Sequence, residues 1–188
     1  GNVQVFTGTH SHGQGHETVF AQIVAGELGV NFSDINVIHG DTATTPQGTG
    51  TFGSRSLVVG GSAVYMAAEK LRTKAIKMVA AGTGVSEDHV AFENGKYVIS
   101  EPKSQSLSFP EVAYLAHDSF RLPIDVEPGL EVSAFFQPRE LTCPFGVQIA
   151  IVDVDPSTGN VSLKRLLAIE DCGKVINPML ADGQLQGG

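Results

Sequence analysis

The 188 residues contain no tryptophan and only two cysteines. Cys143 and Cys172 are too few for a disulfide framework and lack the spacing of a structural metal site, so both are read as reduced thiols. Positive charge is scarce as well: 12 Lys and Arg stand against 20 Asp and Glu, a net charge of −8. The basic residues are scattered, which argues against a nucleic-acid partner, because a phosphate backbone is held by clustered cations. No run of about 18 apolar residues exists, so no membrane span is expected. The N-terminus also lacks the basic and apolar regions of a signal peptide, and a cytoplasmic location is expected. The chain opens on Gly1-Asn2 rather than Met and closes on Gln186-Gly187-Gly188. That reads as a cut through a longer polypeptide, with any targeting segment outside it.

Glycine, by contrast, is abundant, at 22 residues. With 41% hydrophobic and 17% charged residues, the chain can build the core of one or two small domains. Val3 to Thr7 alternates like a strand, and His16 to Leu28 carries Phe20, Ile23, Val24 and Leu28 at helical spacing. Between them lies Gly13-Gln14-Gly15. Asn36 to His39 reads as a strand, followed by a polar run from Gly40 to Gly53 whose length suits a functional loop. Gly61 to Ala80 reads as an amphipathic helix. Val90–Glu93, Asn94-Gly95 and Lys96–Ile99 form a hairpin signal, because Asn-Gly supplies the positive φ values of a tight turn. Ser108 caps a short helix through about His117, with Pro110 near its start. Sequence irregularity around Pro123 to Gly129 suggests a boundary. Glu131–Phe136, Gly146–Val154 and Val161–Glu170 then read as strands, Asp155 to Gly159 as the turn joining the last two, and Asn177-Pro178 as the start of a final helix. The expected fold is α+β in two small subdomains, residues 1–125 and 126–188.

Two glycine loops each precede a helix: Gly13-Gln14-Gly15-His16-Glu17-Thr18, and Gly53-Ser54-Arg55-Ser56. Backbone amides at such places can close on an anion or a cofactor ring. Gln14 brings an amide that both donates and accepts, and Arg55 a guanidinium suited to phosphate. The alternative is that the glycines serve tight turns only and that Arg55 makes a surface ion pair. Neither loop matches a dinucleotide-binding Gly-x-Gly-x-x-Gly, a P-loop or a serine nucleophile elbow. His10, His12 and His16 could chelate a transition metal. Against this, the glycines between them make a floppy chelate and no carboxylate or cysteine completes the set, so a hydrogen-bonding role is preferred. Zinc or nickel binding lost on replacing His10 and His12 would reverse that preference.

Three ordered blocks carry a resemblance. They are Gly13 to Thr18, then Gly50-Thr51-Phe52-Gly53-Ser54-Arg55-Ser56, and finally Asp171-Cys172-Gly173-Lys174-Val175-Ile176-Asn177-Pro178 running into Gly183-Gln184-Leu185-Gln186-Gly187-Gly188. Together with the hairpin from Val152 to Gly159, they resemble the molybdenum-binding large subunit of the xanthine dehydrogenase and aldehyde oxidase family. The chain resembles the carbon-monoxide-dehydrogenase-like bacterial branch in particular. The resemblance implies a bed for molybdenum-molybdopterin, usually the cytosine dinucleotide form. It implies Gln14 and Gly15 near the metal end, Gly53, Ser54, Arg55 and Ser56 with Gly61, Ser62, Ala63 and Val64 along the pterin or phosphate, and Gln184 beside the pterin. Phe20 is counted with these cofactor-binding residues.

The resemblance further implies an oxidoreductase that hydroxylates an aldehyde or N-heterocycle, or oxidises carbon monoxide, with oxygen taken from water. Electrons would leave through iron–sulfur clusters and FAD on partner subunits or domains. The family's catalytic glutamate lies in a Gly-rich Gly-Glu motif beyond residue 188, and neither Glu17 nor Glu170 takes its place. No catalytic residue is therefore assigned, and the chain alone is expected to be inactive. A non-catalytic cofactor- or nucleotide-binding or assembly module is the alternative, and homo-oligomerisation is open.

Overall fold

The computed structural model describes residues 2–45, 47–100, 104–118, 122 and 126–188. They divide into two compact units, Gly1–Arg139 and Glu140–Gly188. The expected boundary at 125/126 falls partly on residues outside those described. Val126, Leu130 and Val132 pack against the core of the first unit, so the segment after the boundary goes with that unit.

The first unit opens with β1 (Val3–Thr7), α1 (His16–Leu28) and β2 (Ile35–His39). β1 and β2 pair in parallel from Val3↔Ile35 to Thr7↔His39, with α1 as the crossover. Parallel strands need such a connection, whereas a tight turn suffices only for antiparallel ones. Then come a π-helical turn, Leu57–Gly61, and the long α2, Ser62–Thr83. β3 (Val90–Glu93), β4 (Lys96–Ile99) and β5 (Gln105–Ser108) form an antiparallel sheet in that order. α3 (Phe109–Ala116) follows β5 directly, started by a capping box between Ser108 and Glu111.

The core forms where one stripe of each helix meets the strands. α1 contributes Phe20, Val24 and Leu28, each one turn from the next, and α2 contributes Val64, Ala68, Leu71, Ala75 and Met78. Tyr97 and Ile99 from β4 and Phe109 and Val112 from α3 complete it. Arg72 of α2 donates to Glu27 of α1 at 2.7 Å and tethers the two helices at the rim.

One expected strand fails and one strand without an expectation forms, for the same reason. Glu131–Phe136 has alternate residues half-buried, as expected of a strand, but no ladder partner among the described residues pairs it. Gln105–Ser108 is a strand that its pattern hides, because Leu107 is its only apolar residue. In both, pairing with a distant segment decides the outcome and periodicity does not.

The second unit is a long antiparallel hairpin, β6 (Phe145–Val154) and β7 (Val161–Asp171), followed by α4 (Pro178–Gly187). Val147 pairs with Ile169 and Ile149 with Leu167, so these side chains share one face of the ribbon. Asp155 anchors the turn by accepting from the Ser157 N–H and hydroxyl and from the Thr158 hydroxyl. Asn177 caps α4 by accepting from the Leu180 N–H at 3.1 Å. No helix among the described residues is long and apolar enough to cross a membrane.

Candidate functional site

Because β1 and β2 run parallel and end together at Thr7↔His39, the segments that follow them leave from the same edge. One is residues 8–15, which leads into α1; the other is residues 40–56, which leads into the π turn and α2. The carboxyl ends of parallel strands are where open α/β units hold ligands, since loops and helix N-termini converge there. Both glycine loops noted in the sequence thus share one place.

They touch. Gly8 and Gly48 pass so closely that a Cβ on either would overlap the backbone of the other. The Gly50 N–H donates to the Gly8 carbonyl at 3.2 Å, and the Thr51 hydroxyl to the His10 carbonyl at 2.6 Å. Ser56 Oγ donates to Thr51 Oγ1 at 3.2 Å, which ties the second loop to the foot of the π turn. Below them, Gly60 faces the side chain of Thr9 and the ring of Phe20. A π turn inside a helical run widens the backbone locally and is frequent at functional sites.

Gln14 is half-buried, and its Oε1 accepts from the His12 N–H, so the first loop closes on itself. Gly15 caps α1 in the left-handed region at φ 75°, with no side-chain cap, which leaves the first-turn amides facing the loop. Gly53 and Ser54 are exposed at positive φ, 65° and 52°. A serine held there is strained by about 1 kcal/mol or more. Arg55 is half-buried with its guanidinium 4.1 Å from the centroid of the Phe52 ring. Ser62 and Ala63 are half-buried at the start of α2.

Phe20 and Val64 lie deeper than the rest of the site drawn from the sequence. Phe20 has no exposed surface and Val64 only 6%, and both lie in the hydrophobic core. Their apolar side chains point down the inner stripes of α1 and α2, so they support the loops from beneath. Gly61 is buried against Leu57 and Ile23. Gln184 is exposed on α4 in the second unit.

Titratable groups cluster at the start of α1. His16 is 9% exposed and its Nδ1 finds no hydrogen-bond partner. Burial pulls its pKa below the usual 6.5, so at neutral pH the ring is uncharged. The Glu17 carboxylate is held below its ordinary range by its own backbone N–H and by His39, whose Nε2 lies 2.7 Å from Oε1. Thr51, Thr9 and His39 were not singled out from the sequence. A threonine in a polar run carries no distinguishing pattern, and His39 gains its place only when β2 pairs with β1.

A separate open groove of about 490 Å³ lies between the end of α2, β5 and α3. Glu111, on its wall, is already engaged in the cap of α3.

The match to known families follows this geometry. All of residues 1–188 match the model of the molybdopterin cofactor-binding domain. The chain belongs to that family. It is 40% identical over 181 residues to the carbon monoxide dehydrogenase large chain of Hydrogenophaga pseudoflava, covering 96% of this chain and 22% of that one. It is 35% identical to the nicotine 6-hydroxylase large subunit of Paenarthrobacter nicotinovorans, over 100% of this chain and 23% of the relative. The solved carbon monoxide dehydrogenase from Oligotropha carboxidovorans superposes with a TM-score of 0.91 at 39% identity, over all of this chain and 23% of that one. The chain therefore spans less than a quarter of the length of these relatives. Membership in the xanthine dehydrogenase and carbon monoxide dehydrogenase group, inferred from the three sequence blocks, is borne out, as is the mixed helix and sheet architecture.

The geometry fits a molybdopterin. A Cβ at Gly13, Gly50 or Gly53 would project into open space, so the backbone at these positions is uncovered by protein. The orphaned Nδ1 of His16 lies next to Gly15 at the head of α1.

Proposed function

We propose that this molybdopterin-binding domain forms one wall of the active site of a molybdenum hydroxylase. Such an enzyme hydroxylates an aldehyde or N-heterocycle, or oxidises carbon monoxide, with water as the oxygen source. The observation that carries the reading is the joining of residues 8–15 to residues 47–56 at the carboxyl ends of two parallel strands. One continuous surface results, with open space beside Gly13, Gly50 and Gly53, where a single glycine loop would offer only a turn.

In this reading Gln14 supplies a donor and an acceptor to the polar edge of the group, beside the first-turn amides after Gly15. Arg55 turns from Phe52 toward a phosphate, and Gly53, Ser54, Ser62 and Ala63 line the path to the pyrophosphate. The cytosine dinucleotide form suits this, since two loops and a guanidinium can carry a long anionic tail. Gln184 is assigned to the pterin by the family resemblance alone. When bound, the molybdenum group supplies two-electron oxidation, and this chain's residues position it and keep its anionic tail compensated. Iron–sulfur and FAD partners take the electrons. The names of the relatives, a carbon monoxide dehydrogenase and a nicotine hydroxylase among them, support the reaction class and leave the substrate open. The base that acts on water is a glutamate outside these residues, so the chain alone is inactive and retains little cofactor.

The test is to express the chain alone and within its complete coding sequence, then measure molybdenum and acid-released cytidine nucleotide per polypeptide. The complete protein is expected to hold both near stoichiometry, and Gln14→Ala to lower its turnover. A complete protein without molybdenum would overturn the reading in favour of a non-catalytic cofactor or nucleotide module. Stoichiometric cofactor and turnover in the isolated chain would overturn its inactivity.

A further inference from the structure

His10 and His12 are absorbed by neither the core nor the amide cradle. Their Nε2 atoms lie 2.6 Å apart, with the rings edge-on at 75° and their centroids separated by 4.2 Å. Two imidazole nitrogens on alternate residues thus aim at a single point. In the free protein one ring donates its N–H to the lone pair of the other. A small rotation of the two side chains to an Nε2 separation of about 2.8 Å would give the spacing of two cis equatorial ligands on a tetragonal ion with bonds of about 2.0 Å.

One of the two objections from sequence was the flexibility of a glycine-rich chelate, and the structure removes that one. The His10 carbonyl accepts from the Thr51 hydroxyl, while the His12 N–H donates to Gln14 Oε1. Each histidine is pinned through its own backbone, and only Ser11 separates them. Pinned ligands lose less freedom on binding than ligands on a free loop.

We propose that His10 and His12 form a two-imidazole site for a divalent transition ion, with Cu(II) bound more tightly than Ni(II) or Zn(II). Paired imidazoles select such ions over the hard cations Mg(II) and Ca(II), and among them affinity peaks at copper. No group of three or more His, Cys, Asp and Glu able to hold a metal occurs among the described residues. Water therefore fills the remaining positions, and binding is weaker than in a structural zinc site. His39, with its ring centroid 6.4 Å from that of His10, is engaged by Glu17 and stays outside the ligand set. The site is independent of the molybdopterin reading, because neither His10 nor His12 is assigned to that group.

The experiment is titration of the chelator-treated chain with copper(II) sulfate and, separately, zinc chloride, read by calorimetry and by nitrogen hyperfine structure in electron paramagnetic resonance. One Cu(II) per chain with two equatorial imidazole nitrogens is expected. His10→Ala and His12→Ala should each weaken binding about tenfold or more, while His89→Ala and His117→Ala leave it within about twofold, with circular dichroism checking that each variant is folded. Copper binding that survives both His10→Ala and His12→Ala, or a spectrum with a single nitrogen, overturns the site. Loss of binding in His89→Ala or His117→Ala overturns it equally.

Discussion

The two units of this chain handle apolar side chains in opposite ways. In the first, Phe20, Leu28, Met78 and Tyr97 are wholly or almost wholly covered within the unit itself. In the second, Phe145 and Ile169 remain 72% and 73% exposed although they belong to the same kind of alternating pattern. A two-stranded ribbon has nothing to fold over its own apolar face, and three or more strands or a packed helix are normally needed for independent stability. Alternation in β6 and β7 therefore encodes a face, whereas the helical stripes of α1 and α2 encode a core. The first unit is the self-sufficient part, and the ribbon is a component that calls for cover.

The sharpest way to break this comparison is to delete equivalent apolar bulk in each unit. Phe20→Ala should cost about 3–5 kcal/mol in urea unfolding of the first unit, because a filled core position becomes a cavity. Ile149→Ala should change the chain's stability by less than about 0.5 kcal/mol, since its side chain is already half in water. Equal losses would mean that the ribbon is buried as deeply as the core.

A smaller contrast uses glycine. Gly8→Ala drives a Cβ into the backbone of Gly48 and should cost about 1–3 kcal/mol. Gly183→Ala in α4 meets open space and should stabilise that helix by about 0.5–1 kcal/mol, seen as slower amide exchange. Opposite signs at two glycines are the expected outcome; the same sign would remove the close approach of the two loops.

The smallest contrast is in pH. His16 in the first unit has a pKa lowered from 6.5 by burial, so the unfolded chain takes up a proton first. The first unit should accordingly lose stability as the pH falls below about 6.5. In the second unit, Asp155 is held down to about 2 from 3.8 by the hydroxyls of Ser157 and Thr158 and the Ser157 N–H. Its contribution is fully present above about pH 4 and is lost as the pH falls through 2. Carboxyl NMR of Asp155 and imidazole NMR of His16 would follow both, and a shared midpoint would contradict the separation.

Local features were legible in the sequence. The bounds of β1 and α1 follow from periodicity around Gly13 to Gly15, and the β3–β4 hairpin from Asn94-Gly95. Ser108 and Asn177 cap as their residue types suggest. Contacts across the chain were not legible. The parallel pairing of β1 with β2 leaves no mark on either strand, so the meeting of the two loops had no local signal. The same blindness hid β5 and misread Glu131–Phe136. Of the candidate site, Gln14, Gly15, Gly53 and Arg55 are chosen on glycine and polarity alone. Phe20 and Val64 looked identical whether they lined a ligand or a core, and only packing decides between these.

The joint between Gly8 and Gly50 spans about 40 residues of chain, so closing it carries an entropic cost that no neighbouring turn offsets. The β1–β2 pairing, which already sets Thr7 opposite His39, removes most of that cost, so the joint depends on the strand pair. Exchange of the Gly50 amide is a direct report on that joint. A defect anywhere in the βαβ scaffold would reach the site first as slow or incomplete closure, before it appears as lost helix.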